Sequence, residues 1–397
     1  MVAGHLCLDI FPNIPDAGKA RLGDLLRPGS IIDVGAITLS TGGCVSNTGI
    51  ALKRLGNNVC FCANVGDDDL GQMTVDLLRS NGNAEGIAVI PGRASSYTIV
   101  IAPPNIDRVF LHNPETNNEF GPESLNTEQI EDCRLFHFGY PPLMRRMFEN
   151  NGGELQKLFR IAKDAGATTS CDMALPDPDS DGGKADWRAI FENALPYVDI
   201  FVPSIEETFY MLHPEEFLKM KKAHDNNELM NVLTVDDYSR LADAVLAMGP
   251  KIVTLKSGSK GFYVKTRARS YFEVLGNAQP GDVNNWSGRE LWIPALEAEN
   301  FCNANGTGDA SVAGFLTSFL RDKTIEDALK IAVCCGRQIA ESADTTSGLR
   351  SWGEILEMAN RTLPMLDLSI SAKGWTWSEE RMMWSGSDDP LGGTLPA

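Results

Sequence analysis

The chain has 397 residues, of which 43% are hydrophobic, and its formal net charge is −18 at pH 7. This length and composition suffice for one large core with an appendage, whereas the negative charge argues against binding to nucleic-acid phosphates or to an anionic membrane surface. An anionic nucleotide remains compatible with it, because helix N-termini, backbone amides and Mg²⁺ supply local positive potential.

The nine cysteines indicate a reducing compartment. Their number is odd, and the first ten residues include a histidine and an aspartate rather than the apolar run of a secretory signal. Neither of the two closely spaced cysteine pairs has the spacing of a zinc site. No segment approaches the roughly 18 apolar residues that a membrane helix needs. We therefore expect a cytoplasmic protein with free thiols.

The first part of the chain alternates short apolar runs with glycine-rich turns. The patterns predict a strand, an extended segment, a helix and a second strand over residues 5–10, 31–38, 46–55 and 59–65. Two β-rich runs, 96–102 and 108–112, flank a Pro-Pro-Asn turn and predict a hairpin. Parts of 11–40 and 92–113 are expected to form a small sheet that covers the main domain as a lid.

From residue 130 onward, apolar runs alternate with helical stretches. Strands are predicted over 135–140, 168–173, 199–202, 251–256, 261–266 and 271–275, and helices over 153–165, 187–195, 324–342 and 353–363. This rhythm predicts an α/β fold, a doubly wound and mostly parallel sheet flanked by helices, within residues 1–363. Residues 364–397 are expected to be a tail whose tryptophans pack onto the body and whose last dozen residues are disordered.

The sharpest chemical motif is the segment Asn305–Leu316, with the sequence NGTGDASVAGFL. Its apolar residues recur at helical spacing, which predicts a buried helix beginning near Gly308. Glycines before a helix expose backbone amides that bind anions together with the helix dipole. Asp309 would repel a phosphate, but a carboxylate beside an anion site can accept the proton of a substrate hydroxyl. The alternative interpretation is that Asp309 only caps the helix.

A second glycine motif precedes the helix predicted over residues 46–55. The adjacent Gly42 and Gly43 permit close approach of a polyhydroxylated ligand. Asn47 can donate and accept hydrogen bonds to such a ligand, or cap the helix. Neither motif is a G-x-G-x-x-G fingerprint, because Ser311 stands at the third position of the later one. A nicotinamide-dependent oxidoreductase is therefore disfavoured.

Together, the two segments resemble the two signatures of the ribokinase/PfkB carbohydrate kinase family. The first signature is matched, in order, by Gly42, Gly43, Asn47, Gly56, Gly66 and Gly71, and the second by Gly306, Gly308, Asp309, Ala313 and Gly314. Two ordered signatures about 260 residues apart are far more specific than either alone. The resemblance spans residues 3–355 and implies a ribokinase-like fold and ATP-dependent phosphorylation of a sugar hydroxyl.

The resemblance also implies roles for individual residues. For substrate binding it implies Asp9, Gly42, Gly43 and Asn47. For catalysis it implies Asp309 as the general base, beside an anion hole made by the amides of Gly306, Thr307 and Gly308. For ATP it implies Gly306 and Gly308 again, with Lys256, Ser257, Gly258, Gly261 and Gly348. For Mg²⁺, held through water, it implies Glu207, with Glu206 as the alternative. The loop 345–348 is implied to close over adenine and to help hold a monovalent cation such as K⁺.

Two further substrate candidates come mainly from their positions. Asp172 follows a predicted parallel strand, and ligands of α/β proteins bind at the carboxyl ends of such strands. His112 ends the predicted hairpin and would reach the substrate if that hairpin is a lid; the alternative is an exposed strand end.

Two departures from the family pattern keep other functions open. Ser204 replaces the Asn of the family's Asn-x-x-Glu motif, and Asn303 replaces the common Asp at the start of the second signature. They motivate a catalytically weak sugar-binding protein derived from a kinase. A nucleoside kinase would use the same residues as a sugar kinase. Because lid edges pair in this family, a homodimer through the lid is a further expectation.

Overall fold

The computed structural model describes residues 1–16, 18, 22–82, 84–104, 108–225, 227–342 and 344–391. In these ranges the strands are β1 (Val2–Gly4), β2 (Cys7–Phe11), β3 (Thr38–Gly42), β4 (Phe61–Gly66), β5 (Ile87–Ile90), β6 (Tyr97–Ile101), β7 (Val109–Asn113), β8 (Leu135–Gly139), β9 (Thr168–Asp172), β10 (Ile200–Phe201), β11 (Ile252–Lys256), β12 (Phe262–Thr266), β13 (Glu290–Ile293), β14 (Thr376–Ser378) and β15 (Met383–Ser385).

The α-helices lie between these strands. They are α1 (Leu22–Leu25), α2 (Cys44–Arg54), α3 (Asp69–Ser80), α4 (Thr127–Glu131), α5 (Arg145–Phe148), α6 (Gly153–Asp164), α7 (Asp181–Lys184), α8 (Trp187–Ala194), α9 (Ile205–Leu212), α10 (Pro214–Ala223), α11 (Val235–Ala247), α12 (Val283–Trp286), α13 (Thr307–Leu320), α14 (Ile325–Ala340) and α15 (Trp352–Ala359). Among the described residues, no helix is long and apolar enough to cross a membrane.

The larger of two sheets has eleven strands in the order β14-β15-β13-β12-β11-β10-β9-β8-β1-β4-β5. The strands from β5 to β11 in this order are parallel to one another, and the remaining four continue the sheet antiparallel. Crossover helices pack on both faces of such a sheet, so its central strands are apolar on both sides. The predicted doubly wound, mostly parallel sheet is confirmed.

Successive side chains of a strand point alternately into two hydrophobic cores, one on each face of the sheet. Ile200 and Val202 belong to the core on one face of the sheet, with the buried residues of α2, α13 and α14. Phe201 belongs to the core on the other face, with those of α6, α8 and α11. Because successive side chains of a strand point to opposite faces, an uninterrupted apolar run fills both layers. The result is a sheet between two helical layers.

The start of the predicted strand over residues 5–10 is wrong, because the chain changes sheets before Cys7, where β2 begins. β1 lies in the large sheet, whereas β2 belongs to a second sheet with the order β3-β2-β6-β7. The change begins at Gly4, whose φ is +120° and where a Cβ would lie 2.5 Å from the oxygen of Gly139. The Asn117 side chain then satisfies both the N–H and the C=O of Leu6, each at 3.0 Å. These bonds replace the ladder that the chain leaves.

The second sheet is the expected lid, with partly different boundaries. The predicted hairpin is β6–β7, whose register runs from Tyr97 opposite Asn113 to Ile101 opposite Val109. Its turn residue Asn105 lies outside the described residues. The segment 31–37 has no regular structure, and the strand begins only at Thr38 because pairing with β2 starts there.

The predicted strand over residues 271–275 is also wrong. Residues Arg269–Val274 form a 3₁₀ helix in which Tyr271 and Val274 are 45% and 63% exposed. These residues do not form a strand, because β12 pairs instead with β13, which is formed by Glu290–Ile293. Pairing with a segment some 25 residues away is a long-range choice that local propensity does not reveal.

The C-terminal segment continues the large sheet rather than lying beside it. β15 pairs with β13, and Trp384 lies opposite Trp292. Asp389 is buried and accepts hydrogen bonds at 3.0–3.1 Å from the Arg289 guanidinium, which is itself fully buried and also paired with Glu326. The structure thus differs from the expectation of disorder over residues 386–391, while 392–397 lie outside the described residues.

This ion pair gives a test of how far the tail stabilises the fold. We expect Asp389→Ala to lower the free energy of unfolding by about 3 kcal/mol, because it leaves part of a buried guanidinium without its partner. The measurement is urea-induced unfolding followed by tryptophan fluorescence. Asp388→Ala, at an exposed neighbouring position, is the control and should change stability by less than about 0.5 kcal/mol. Equal effects of the two changes would contradict a role for the buried pair.

Candidate active site

The carboxylate of Asp309 lies at the centre of a cleft between three elements. It stands in the first turn of α13, whose N-cap is Gly306, so the interpretation of Asp309 as the cap is wrong. Its oxygens accept hydrogen bonds from Asn47 Nδ2 at 3.2 Å, from Thr48 Oγ1 at 2.8 Å and from the Tyr140 hydroxyl at 2.6 Å. Donors from α2 and from the end of β8 therefore fix this carboxylate.

Burial dominates the electrostatics of Asp309. Desolvation raises the pKa of this carboxyl, although the hydrogen bond from Tyr140 and the charge of Lys256 act in the opposite direction. Burial, with the charge of Asp309 nearby, also raises the pKa of the Tyr140 phenol, which therefore remains protonated and donates. A carboxylate whose pKa is raised toward neutrality is a stronger proton acceptor than an exposed aspartate.

The N-terminus of α13 faces a buried ammonium group. A Cβ on Gly308 would lie 3.4 Å from Cδ of Lys256, so glycine keeps open the space between the helix amides and this lysine. Gly306 takes the left-handed φ of +73° that the turn into the helix needs. The hydroxyl of Thr307 donates back to the Ala304 carbonyl at 2.9 Å. The amides at the start of this helix are suited to bind an anion such as phosphate.

Lys256 forms a buried ion pair with Asp172. The lysine ends β11, and the aspartate ends β9 at the same edge of the sheet. Burial raises the pKa of Asp172 to about 7, against the lowering effect of Lys256. Burial would lower the pKa of Lys256, but the charges of Asp172, Glu207 and Asp309 raise it overall. The cation is therefore held among three acidic groups.

The two glutamates of α9 have different surroundings. Glu206 pairs with Lys221 at 3.0 Å. Glu207 lies close enough to Asp172 to affect the pKa of that carboxyl. Ser204 caps α9, accepting from the Glu207 N–H at 3.2 Å and donating its own N–H to the Glu207 carboxylate at 2.6 Å. Ser204, which replaces the Asn of the family motif, thus orients the Glu207 carboxylate.

The two glycines after β11 leave no room for a larger side chain. A Cβ on Gly261 would lie 2.0 Å from the Ile293 oxygen, so this glycine is required for β12–β13 contact. Gly258 has φ +48° and faces Met230, while the Ser257 hydroxyl donates to the Leu255 carbonyl at 3.3 Å. The structure brings Gly258 to the turn after β11.

The loop that follows α14 packs closely on the helix and on the second signature. A Cβ on Gly348 would lie 2.6 Å from Cβ of Ser342. The Asn303 amide donates to the Ser342 carbonyl at 2.8 Å, and the Thr345 hydroxyl donates to Asn47 Oδ1 at 3.0 Å. The loop 344–348 is thereby tied to the same asparagine that contacts Asp309.

On the lid side, Asp9 lies against the first glycine motif. A Cβ on Gly42 would lie 2.2 Å from Oδ2 of Asp9, and one on Gly43 would lie 2.5 Å from Nδ1 of His5. Only glycine leaves room for these two side chains. The Cys7 thiol donates to Asp9 Oδ1 at 3.3 Å. Burial raises the pKa of Asp9 to about 6.

A line of side chains connects the lid to the main sheet. His112 of β7 lies with its Nε2 3.2 Å from Nε2 of His5, and its Nδ1 lies 3.0 Å from the Thr98 hydroxyl. The His5 ring in turn lies 6.0 Å from the Tyr140 ring, centroid to centroid. Burial lowers the pKa of His112 to about 4, so its ring is neutral at pH 7. The exposed-strand-end alternative for His112 is therefore wrong.

Sequence reasoning missed three of these side chains: His5, Thr48 and Tyr140. Tyr140 follows β8 at the carboxyl edge of the sheet, as Asp172 follows β9, so the same rule would have selected it. It also takes a left-handed φ of +68° immediately before two prolines. His5 and Thr48 carry no such local signal, because their contacts are with residues more than 100 positions away.

Comparison with known proteins places this geometry among sugar kinases. Residues 17–352 match the model of the pfkB family carbohydrate kinases. Fructokinase-2 of Solanum lycopersicum is 28% identical over 346 residues, covering 84% of this chain and 87% of that protein. Probable fructokinase-3 of Arabidopsis thaliana is 34% identical over 178 residues, covering 44% of this chain and about half of that relative, 47%.

Solved structures share the fold at low sequence identity. An Arabidopsis thaliana ribokinase complexed with ribose and ATP has a TM-score of 0.68 at 15% identity, covering 91% of this chain and 98% of that one. Two structures of a ribokinase II from E. coli also match, each at 17% identity and with the same coverage. The apo form has a TM-score of 0.65, and the complex with ATP and Mg²⁺ has a TM-score of 0.63. At this identity the likeness shows a ribokinase-like fold.

The raised pKa of Asp9 generates a prediction about stability. Well below pH 3.8 this carboxyl is protonated in both the folded and the unfolded chain, so it contributes no pH dependence there. Between the ordinary value of 3.8 and about 6, the unfolded chain ionises first, and stability falls as pH rises. Because asparagine resembles the protonated form, we expect Asp9→Asn to stabilise the fold at pH 7.5 by up to about 3 kcal/mol.

The measurement is urea-induced unfolding of wild type and variant at pH 4 and pH 7.5. The gain should be largest at pH 7.5 and several-fold smaller at pH 4, where the folded carboxyl is still protonated. Asp33→Asn, at an exposed position before β3, is the matched control and should show no gain at either pH. A wild-type protein as stable as Asp9→Asn at pH 7.5 would contradict the burial of an ionised Asp9.

Proposed function

The chain belongs to the pfkB family of carbohydrate kinases, and we propose that it transfers the γ-phosphoryl group of ATP to a hydroxyl of a small sugar, with Asp309 as the general base. The observation that carries this proposal is the buried carboxylate of Asp309. It lies at the N-terminus of α13 and accepts hydrogen bonds from three donors of other elements. That placement provides a proton acceptor beside a site for anionic phosphate.

In the proposed reaction, Asp309 accepts the proton of the sugar hydroxyl as that oxygen attacks the γ-phosphorus in line, and ADP leaves. The amides of Gly306, Thr307 and Gly308 would donate hydrogen bonds to the oxygens of the transferred group. The Lys256 ammonium, which faces the same space, would add a positive charge. Tyr140 acts as a positioning residue, because its hydroxyl contacts Asp309.

The residues present fit ATP and Mg²⁺. Gly308 leaves open a cradle that a Cβ would narrow, and the glutamate beside the Lys256–Asp172 pair supplies oxygen, the donor that Mg²⁺ prefers. We assign Glu207 to hold Mg²⁺ through water; when bound, the ion neutralises phosphate charge. Lys256, Ser257, Gly258 and Gly261 would border the nucleotide.

The sugar would lie between the lid and the large sheet. Asp9 would accept hydrogen bonds from its hydroxyls, Gly42 and Gly43 leave the room that Asp9 and His5 occupy beside it, and Asn47 would contact both the sugar and Asp309. His112 and Asp172 border the same space from the lid and from the sheet. An ionised Asp9 is a strong acceptor for hydroxyl groups, and closure of the lid would exclude water from the transfer.

We further propose that the loop carrying Gly348 closes over adenine and borders a site for a monovalent cation such as K⁺. Asn303 stands where the family commonly has an aspartate, and its amide donates to the Ser342 carbonyl just before this loop. All nine cysteines lie among the described residues as free thiols, which supports a cytoplasmic enzyme. The lid edge strand β7, with Phe110 and Leu111 more than half exposed, supports a homodimer through the lid.

The proposal is tested by measuring ADP release with purified protein, ATP and Mg²⁺ over a panel of sugars and nucleosides. The panel begins with fructose and ribose. We expect one sugar to support turnover and Asp309→Asn to lower kcat by about 10²–10⁴-fold, because the proton acceptor is lost. Binding of ATP to this variant should be nearly unchanged.

The control is Asp327→Asn, at a partly exposed position in the first turn of α14, which should retain wild-type turnover. Near-normal turnover by Asp309→Asn would contradict the assigned base. Faster turnover of a nucleoside than of any sugar would replace the sugar kinase by a nucleoside kinase. Sugar-dependent thermal stabilisation without any ADP release would indicate a sugar-binding protein instead.

A second prediction concerns Tyr140. Its hydroxyl stabilises the ionised form of Asp309, so Tyr140→Phe should raise the pKa of that carboxyl further. We expect the acidic limb of the kcat–pH profile to move up by about one pH unit, since a hydrogen bond to a charged group is worth about 1.5–3 kcal/mol. Tyr210→Phe, which removes a phenol bonded to the Gly183 carbonyl, is the control. An unshifted limb in Tyr140→Phe would exclude this role.

A further inference from the structure

A cluster of imidazole and thiol groups lies at the base of the lid, and the proposed transfer assigns it no chemistry beyond the border that His112 forms. His5 lies between β1 and β2, Cys7 is the first residue of β2, and His112 is in β7. One ligand atom from each of these three residues lies within 4.8 Å of the other two. His5 and Cys7 are 2% and 4% exposed, so the cluster is shielded from water.

The spacing of the two imidazoles matches that of two ligands on one metal ion. Their Nε2 atoms are 3.2 Å apart. Zinc–nitrogen bonds of about 2.0–2.1 Å in a tetrahedron place two nitrogens about 3.3 Å apart. The Thr98 hydroxyl lies 3.0 Å from Nδ1 of His112 and can accept its proton, which leaves Nε2 of that ring unprotonated. A hydrogen bond of this kind orients most metal-binding histidines.

The polar groups of this cluster are incompletely satisfied by protein contacts. Nδ1 of His5 is buried and has no hydrogen-bond partner among the described residues. The only side-chain hydrogen bond of this ring in that part of the chain joins it to another imidazole, and only one of the two facing nitrogens can then carry a proton. Nδ1 of His5 faces Gly43, so the atom of this ring that an ion between the two imidazoles would bind is Nε2.

We propose that His5, Cys7 and His112 form a binding site for Zn²⁺ or a similar transition-metal ion. Two imidazoles and one thiolate are a donor set for zinc rather than for Mg²⁺ or Ca²⁺, which take oxygen ligands. Three protein ligands leave the fourth position to water or to a substrate hydroxyl. This site is separate from the Mg²⁺ position assigned to Glu207 and does not depend on the proposed kinase reaction.

Binding requires the thiol to lose its proton. The S–H bond of Cys7 breaks, a bond between Sγ and the metal forms, and one H⁺ is released per ion bound. The receiving group is already in place, because the Cys7 thiol donates to Asp9 Oδ1 at 3.3 Å. Asp9 would pass the proton to solvent, so no oxidant or reductant is involved.

The test uses the full chain without a histidine tag, under reducing conditions and without ATP or sugar. Co²⁺ serves as the spectroscopic probe, and Zn²⁺ as its competitor. We expect one Co²⁺ per chain, visible d–d bands of four-coordinate cobalt and a thiolate-to-cobalt charge-transfer band, all removed by one equivalent of Zn²⁺. Cys7→Ser should lose the charge-transfer band, and His112→Gln should weaken binding at least tenfold.

Two further variants separate the site from adventitious binding. Thr98→Val removes the hydroxyl that orients His112 and should weaken binding by about 10–100-fold. Cys302→Ser removes an exposed thiol elsewhere and should leave the spectrum unchanged. Thermal unfolding without metal verifies that each variant is folded. The proposal is overturned if the wild type binds no Co²⁺ at micromolar concentration, or if Cys7→Ser or His112→Gln retains wild-type spectrum and affinity.

Discussion

The architecture depends on one requirement: a buried carboxylate must be fully hydrogen-bonded. Asp309 has lost its water, and an unpaired charge in that position would cost several kcal/mol. Three donors compensate, and they come from α2 and from the end of β8 rather than from the helix that carries the aspartate. The same bonds therefore fix the relative positions of the three elements and orient the carboxylate toward the space where a hydroxyl would react.

The lid obeys a related constraint at the other side of the cleft. β1 ends in the large sheet at Gly4, and β2 begins in the lid three residues later, so one short connection positions both His5 and Asp9. Gly42 and Gly43 have no Cβ because those two side chains occupy the space. The side chains around Asp9 and those around Asp309 thus belong to different sheets, joined through contacts of Tyr140 with His5 and Asp309.

The sequence predicted the parts of this structure that have local signals. The doubly wound sheet followed from apolar runs alternating with helical periodicity, and the start of α13 from glycines before a buried helix. The change of sheet after Gly4 was missed because the local sequence gives no sign that the pairing partner changes. His5 and Thr48 were missed because their partners lie more than 100 residues away. The strand β13 depends on β12 and β15 in the same non-local way.

The pairing of Arg289 with Asp389 has a consequence for the order in which the protein assembles. The two residues are 100 positions apart in the chain. During synthesis, which adds about 5–20 residues per second, Arg289 leaves the ribosome several seconds before its carboxylate partner. Until Asp389 has been synthesised, a buried Arg289 guanidinium would lack the hydrogen bonds and the negative charge that this carboxylate provides. The antiparallel part of the sheet is therefore completed late, after all the strands of the parallel part have been synthesised.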